Sequence, residues 1–576
     1  MTQKDNFVAK IAGAAGEGIM TTGLLLSKTC ARHGLYIFDY TEYPSLIRGG
    51  HNTYQVHASK TPIYAQRSTV DLLIALNEEG IKFHQEELTE NSLLIYDSKQ
   101  SKTEIAKYNL KAKTIDLPMI DLAKEAGGKE VMANNVALGA SIYLLGLDSV
   151  ILNQIIADVF GDKGEGVVSL NQKAAQAGYN FAKSQAKSLT LTKQEANHLT
   201  MTGNEAIALG ALAGGLQFYV AYPMSPSSSI LHFLAEKAPQ AKIVVKHAED
   251  EISAANMALG ASFAGARVMV GTSGGGFCYM VEALGLAGIA EVPIVFVEAM
   301  RPGSALGLPT WTAQGDLQFV ISASHGEFPR FVLAPGDAQE AFELSRRAQE
   351  LAEKFQTPVI ILSDKYLSES RHYLKLEAEE FNNTRFGFAQ NPKADQTGFY
   401  PRYALNDTGV SSRTIPGTKD GAHITNSYTH NQYGLSDEEP EARKNQLEKI
   451  FKKVEMMKTE IPEQHWEKES NAEITFISFG STKMPLRQAK EDLKKEGITI
   501  SVLNLSWLWP FPSEQVKKAI ENSKNVVVAE GNFQGQLAKL ITQETGIIIK
   551  NRLNRYDGRP FYPEEIVDFV KTFKNS

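Results

Sequence analysis

Three stretches of the chain alternate short apolar runs with segments of helical spacing, and that alternation predicts three α/β units separated by polar sequence. From Asn6 to about Gln185, the runs Phe7–Ala12, Asp71–Leu76 and Ser92–Tyr96 read as strands between helices. The polar stretch Leu189–His198 lacks either periodicity and reads as a linker. A second unit opens with a small-residue helix over Asn204–Gly215. It continues with strand candidates at Gln217–Tyr222, Lys242–Lys246, Arg267–Gly271, Pro293–Val297, Arg330–Leu333 and Pro358–Leu362. Strands interleaved with helices imply a parallel sheet covered on both faces. The helix Asp337–Lys354 follows Pro335-Gly336, with Asp337 as its N-cap. From about Glu369 to Ser470 the chain turns rich in Asn, Thr, Gly, Pro and charge, a long extension whose clearest regular element is a helix over Glu439–Lys458. A third α/β unit starts near Ala472, with strands at Ile474–Phe479, Ile498–Leu503 and Val526–Glu530. The predicted domains are therefore 1–190, 191–368, an extension at 369–470, and 471–576.

Composition narrows the class without naming a function. The 576 residues, 43% hydrophobic and 22% charged, suffice for several cores. A net charge of -7 offers no general attraction for nucleic acid. The two cysteines, Cys30 and Cys278, cannot by themselves ligate a four-cysteine iron-sulfur cluster, and no metal site is predicted. No secretory signal is read at Met1, and the most apolar stretch, Val281–Met300, is broken by Glu282, Glu291 and Pro293, so no membrane span is predicted and a cytoplasmic location is expected.

Chemistry-bearing motifs cluster where strands end. Gly13, Gly16 and Gly18 form a glycine-rich turn after the first strand, able to aim backbone N–H groups at a phosphate. No acid follows at the end of a clear second strand, Asp39 being the nearest, so a dinucleotide fingerprint is incomplete. Arg48-Gly49-Gly50 lies in a polar loop downstream, where an arginine paired with an interface carboxylate is one reading. In the second unit, Tyr222-Pro223-Met224-Ser225-Pro226 ends a strand with two prolines flanking a hydroxyl, presenting Ser225 at a sheet edge where ligands bind. Glu249, Asp250 and Glu251 run straight into an apolar helix. Acids favour a first helical turn for dipole reasons alone, yet a helix this apolar is buried, so at least one acid faces a burying environment that raises its pKa. Thr272-Ser273-Gly274 opens a glycine-rich loop that allows close backbone approach. Arg301 stands at a further strand end, where a guanidinium can grip a carboxylate bidentately or form a structural ion pair. His430, in the extension, reads as a solvated loop histidine.

Taken in order, the motifs from Tyr222 to Asp316 resemble those of the alpha chains of thiamine-diphosphate-dependent 2-oxoacid:ferredoxin oxidoreductases. The region of Gly16, Gly18, Arg48, Gly49 and Gly50 resembles a gamma domain fused in front. The resemblance implies a pyrimidine-binding domain for thiamine diphosphate at 191–368 and a transketolase C-terminal-like domain at 471–576. Glu251 would bond the aminopyrimidine N1′, with Glu249 in reserve, and Tyr222, Pro223, Thr272, Ser273 and Gly274 would line the cofactor. Ser225, in place of the family's threonine, and Arg301 would bind the 2-oxoacid carboxylate. Gly16, Gly18, Arg48, Gly49 and Gly50 would serve coenzyme A or an interface. No magnesium-diphosphate motif and no cysteine cluster stand in this chain, so the resemblance assigns Mg2+ and the iron-sulfur cluster to a beta subunit, with ferredoxin as acceptor and a dimer of alpha-beta pairs. Phe399–Tyr403 and Gly409–Gly417 resemble the 2-oxoglutarate branch, whereas Asn426–Gly434 departs from its acidic pattern. Pyruvate, branched-chain or arylpyruvate oxidation is the alternative within the family. A non-catalytic scaffold and a nucleotide-binding protein built on Gly13–Gly18 are the alternatives outside it.

Overall fold

The computed structural model describes residues 5–46, 49–101, 105–189, 198–376 and 384–575. Arg48 and most of the expected linker Leu189–His198 lie outside the described residues. The chain forms two compact units, one of Met1–Met201 with Ser370–Leu376 and Tyr562–Lys571, the other of Thr202–Glu369 with Glu377–Phe561 and Thr572–Ser576.

The first unit is built on an eight-stranded mixed sheet. Its central strand, Asn6–Ala14, is apolar enough to be buried on both faces and pairs in parallel with Val70–Ala75 on one side. On the other side it pairs antiparallel with His51–Ser59, which in turn pairs with Tyr36–Glu42. These last two strands flank the expected polar loop, and neither is read from the pattern. Their pattern is broken by polar residues, but those residues are satisfied inside the fold. The buried Asp39 carboxylate accepts from Ser27 Oγ at 2.8 Å, Tyr54 OH at 2.6 Å and the Arg371 amide at 2.7 Å. Asp39 is thus occupied as a structural anchor, with burial raising its pKa. Arg371–Leu374, from the segment read as extension, adds a further strand antiparallel to Tyr36–Glu42.

In the second unit a seven-stranded sheet runs Trp507–Trp509, Phe331–Leu333, Pro358–Asp364, Ile294–Met300, Val268–Thr272, Phe218–Ala221, Val244–His247. All its strands are parallel except Trp507–Trp509. The six expected strands form here, their ends differing by up to three residues from those read in the pattern, and Asp337 caps its helix by accepting from the Glu340 amide at 2.9 Å. Helices Glu251–Phe263 and Gly274–Ile289 bury Ala255, Phe277, Met280 and Leu284 in one apolar core with Phe296 and Leu362. That core continues into a five-stranded sheet through Ile477, Leu505 and Val528. Gln314 ties the two sheets together, donating to the Phe479 carbonyl at 3.0 Å and accepting from the Gly531 amide and the Thr482 hydroxyl, each at 2.8 Å.

Candidate active site

Four neighbouring parallel strands deliver the predicted residues to one edge of the seven-stranded sheet. Phe218–Ala221 ends just before Tyr222, and Val244–His247 leads into Glu251. Val268–Thr272 ends in the Thr272-Ser273-Gly274 loop, and Ile294–Met300 ends just before Arg301. Carboxyl ends of parallel strands are where open α/β sheets place ligands, because loops there are free of the packing that fixes the strands.

The helix Glu251–Phe263 starts on a complete cap. Asp250 accepts from the Ser253 amide at 2.6 Å, and this hydrogen bond holds its carboxyl below the usual range. With Asp250 spent on capping and Glu249 exposed, Glu251 is the acid that turns inward, 6% exposed. Among the described residues its buried Oε1 meets no donor, and the buried Ser273 hydroxyl has no partner either. Gly276, in the first turn of the next helix, packs so closely that a Cβ there would lie 2.0 Å from Thr272 Oγ1 and 2.7 Å from Glu251 Oε1. Only glycine fits. Arg301, itself buried, reaches across the strand ends and donates from Nη1 to the Ser225 carbonyl at 2.8 Å. Tyr222 is half exposed beside His247, and Pro223 and Ser225 are half buried. Ser225, Glu251, Thr272, Ser273, Gly274 and Arg301 thus share one sheet edge.

Two acids that carried no role in the sequence join them. The fully buried Glu298, last but two in its strand, and Asp316 both face Gly274, whose Cβ would stand 3.4 Å from Glu298 Oε1 and 2.6 Å from Asp316 Oδ2. Among the described residues neither Glu298 oxygen meets an N–H or O–H donor. Burial, then the neighbouring Asp316 charge, pushes the Glu298 carboxyl well above the usual range, and burial pushes Asp316 up to about 6. Both carboxyls therefore keep their protons above the ordinary carboxylate range. An acid inside the otherwise apolar run Ile294–Ala299 was the available signal.

In the first unit the glycine-rich turn is closed on itself. Glu17 Oε2 accepts from the Ala14 amide at 2.6 Å and from Asn77 Nδ2 at 3.0 Å. Gly18 packs on the Asn134 side chain, while Gly16 and Gly49 have open space where a Cβ would stand and Gly50 abuts Pro44. His430 corrects the solvated reading: it is 4% exposed, with its ring 4.1 Å from that of Tyr403.

Residues 209–449 match the family model described as pyruvate flavodoxin/ferredoxin oxidoreductase, thiamine diP-bdg. Residues 8–181 match pyruvate ferredoxin/flavodoxin oxidoreductase, and 472–566 match pyruvate:ferredoxin oxidoreductase core domain II. The alpha subunit of 2-oxoacid:ferredoxin oxidoreductase 2 from Aeropyrum pernix is 31% identical over 97% of this chain and 96% of its own. The chain belongs to the 2-oxoacid:ferredoxin oxidoreductases. Within that family of enzymes, the 2-oxoglutarate synthase subunit KorA of Archaeoglobus fulgidus is 32% identical, covering 64% of this chain and 97% of that one. A solved 2-oxoglutarate:ferredoxin oxidoreductase from Magnetococcus marinus, with 2-oxoglutarate, coenzyme A and succinyl-CoA bound, superposes with a TM-score of 0.90 at 33% identity, over 99% of this chain and all of that one.

The family's thiamine diphosphate fits what this oxidoreductase chain presents. An aminopyrimidine needs a buried carboxyl oxygen to bond one ring nitrogen, and Glu251 Oε1 is buried without a partner among the described residues. It also needs side-chain-free backbone beside it, which Gly274 and Gly276 provide.

Proposed function

We propose that this chain is the alpha subunit, with a gamma domain fused in front, of an enzyme that oxidatively decarboxylates 2-oxoglutarate to succinyl-CoA, or runs the reverse carboxylation. The observation that carries the reading is Glu251 Oε1, buried and without a partner among the described residues, on the same sheet edge as Arg301, whose guanidinium is fixed on the Ser225 backbone. The preference for 2-oxoglutarate rests on the relative that binds it over the full chain length. When bound, thiamine diphosphate supplies the nucleophilic carbon and the electron sink for decarboxylation.

The chain's own residues do the rest. Glu251 holds a proton at the pyrimidine N1′, a task suited to a carboxyl kept from water in the first turn of a buried helix. Arg301 and the Ser225 hydroxyl orient the substrate carboxylate, the guanidinium being pre-aimed by its bond to the Ser225 carbonyl. Tyr222, Pro223, Thr272, Ser273 and Gly274 line the cofactor, and the glycines let the backbone approach it. Gly16, Gly18, Arg48, Gly49 and Gly50 serve coenzyme A or a subunit interface. A beta subunit carries Mg2+, the diphosphate site and the iron-sulfur cluster that passes electrons to ferredoxin, and alpha-beta pairs dimerise in the cytoplasm. The gamma domain spans 1–190, the pyrimidine-binding domain 191–368, the extension 369–470 and the transketolase C-terminal-like domain 471–576.

The test is coenzyme-A-dependent reduction of methyl viologen by this chain copurified with its beta subunit, with a panel of 2-oxoacids. Turnover of 2-oxoglutarate that drops at least ~100-fold in Glu251→Gln is the expected result. Preference for pyruvate or an aryl or branched-chain oxoacid would reassign the substrate. Undiminished turnover in the variant would remove Glu251 from the mechanism, and no turnover with any oxoacid would favour the scaffold alternative.

A further inference from the structure

Away from the sheet edge, the segment following Thr384 brings two arginines into the interior. Arg402 and Arg413 are 4% and 5% exposed. Arg402 Nη2 donates to the Glu291 carbonyl at 3.0 Å, and Arg413 Nη2 to Glu353 Oε1 at 2.8 Å. Their flat faces are covered, Arg402 by the Tyr403 ring at 4.8 Å and Arg413 by the Phe388 ring at 4.2 Å. Arg402 Nη1 and Arg413 Nε, by contrast, are both buried and both without a partner among the described residues. The two side chains line the same crevice, with Thr414, His423 and Thr425.

The charge around them does not balance. Arg267, Arg402, Arg413, Lys449 and Lys453 are five buried cations, and the carboxylates in ion-pair contact with this group are the buried Glu353 and Glu291. Among the described residues three of these positive charges have no carboxylate of their own, and an uncompensated buried charge is costly. Burial above all, with repulsion from Arg402 and Arg385 and against the attraction of Glu353, lowers Arg413 to about 10. The crevice holds about 20 Å³ of space. That suffices for one water or one monatomic ion. A water would accept the two orphan N–H groups but leave the charge in place; an anion answers both.

We propose that this crevice is a binding site for a chloride-sized monovalent anion, held by Arg402 Nη1 and Arg413 Nε. The site is separate from the strand-end cluster and does not depend on the catalytic reading above. Its role is to neutralise the interior where the extension docks on Ala290 and Glu291, a contact also made by the Tyr403 hydroxyl on the Ala290 carbonyl.

Crystals of the full chain soaked in sodium bromide test this by anomalous diffraction at the bromine edge. The expected result is a peak within hydrogen-bond range of both nitrogens, and its absence, with water-like density there, overturns the proposal. In solution, exchanging chloride for gluconate at constant ionic strength is expected to lower the Tm of the wild-type chain by ~2 °C or more. Arg402→Gln keeps a donor and removes one charge, and it is expected to abolish that anion dependence. Equal Tm in the two salts for wild type would also overturn the site, whether or not the variant folds.

Discussion

The two glycine-rich turns of this chain look alike in sequence and are opposite in construction. At Gly13–Gly18 the turn is filled from within: Glu17 spends its carboxylate on the Ala14 amide and on Asn77, and occupies the space where a Cβ on Gly13 would come to 2.4 Å. At Thr272–Gly276 no side chain of the turn is spent in this way, and the polar atoms that border it, Glu251 Oε1 and Ser273 Oγ, are buried without a partner among the described residues. Buried polar groups are costly when unpaired, so a fold keeps them open only where something else completes them. A glycine-rich turn is therefore ligand-ready or self-sealed according to which side chains arrive from elsewhere.

The comparison breaks first at Gly276. Gly276→Ala puts a methyl 2.0 Å from Thr272 Oγ1 and 2.7 Å from Glu251 Oε1. It is expected to lower turnover by ~100-fold and to weaken thiamine diphosphate binding to the alpha-beta complex in calorimetry, at a stability cost of about 1–3 kcal/mol. Unchanged cofactor affinity would mean that the open turn is not the cofactor's seat.

A second effect concerns pH. The Glu298 and Asp316 carboxyls hold protons in the folded chain that the unfolded chain releases above the ordinary carboxylate values. Their contribution to stability is present below those values and is lost as pH rises, for Asp316 through about 6. Glu298→Gln keeps the shape without the ionisation, so its Tm is expected to fall less steeply than that of wild type between about pH 5 and pH 8. Parallel Tm profiles would show that Glu298 is not held protonated in the folded chain.

The smallest change is expected at the sealed turn. Glu17→Gln retains an acceptor for the Ala14 amide, and burial, its largest influence, already raises the Glu17 pKa. Its stability cost is expected to stay near 1 kcal/mol, with viologen reduction unaltered. A large loss of activity would give the first turn a ligand role that its geometry does not suggest.

Much of the second unit was legible from its pattern. Apolar runs such as Pro293–Val297 became strands because parallel strands buried on both faces need continuous apolar sequence, and Asp337 capped its helix through a contact three residues long. Strands Tyr36–Glu42 and His51–Ser59 were not legible, because their burial depends on Asp39 finding Ser27, Tyr54 and the distant Arg371. The burial of His430 and the pairing of Glu298 with Asp316 escaped for the same reason: neither the ring of Tyr403 nor the proximity of Asp316 is a local property.

By itself, then, the sequence determined the elements, their class and the order of strand-end motifs, since these follow from periodicities and caps acting over a few residues. Which acid turns inward, which glycine turn stays open and which arginines are left with an unpaired N–H were decided by the tertiary structure. Those outcomes depend on donors and acceptors brought together from positions tens to hundreds of residues apart, and no local pattern encodes whether a buried polar atom will meet its partner.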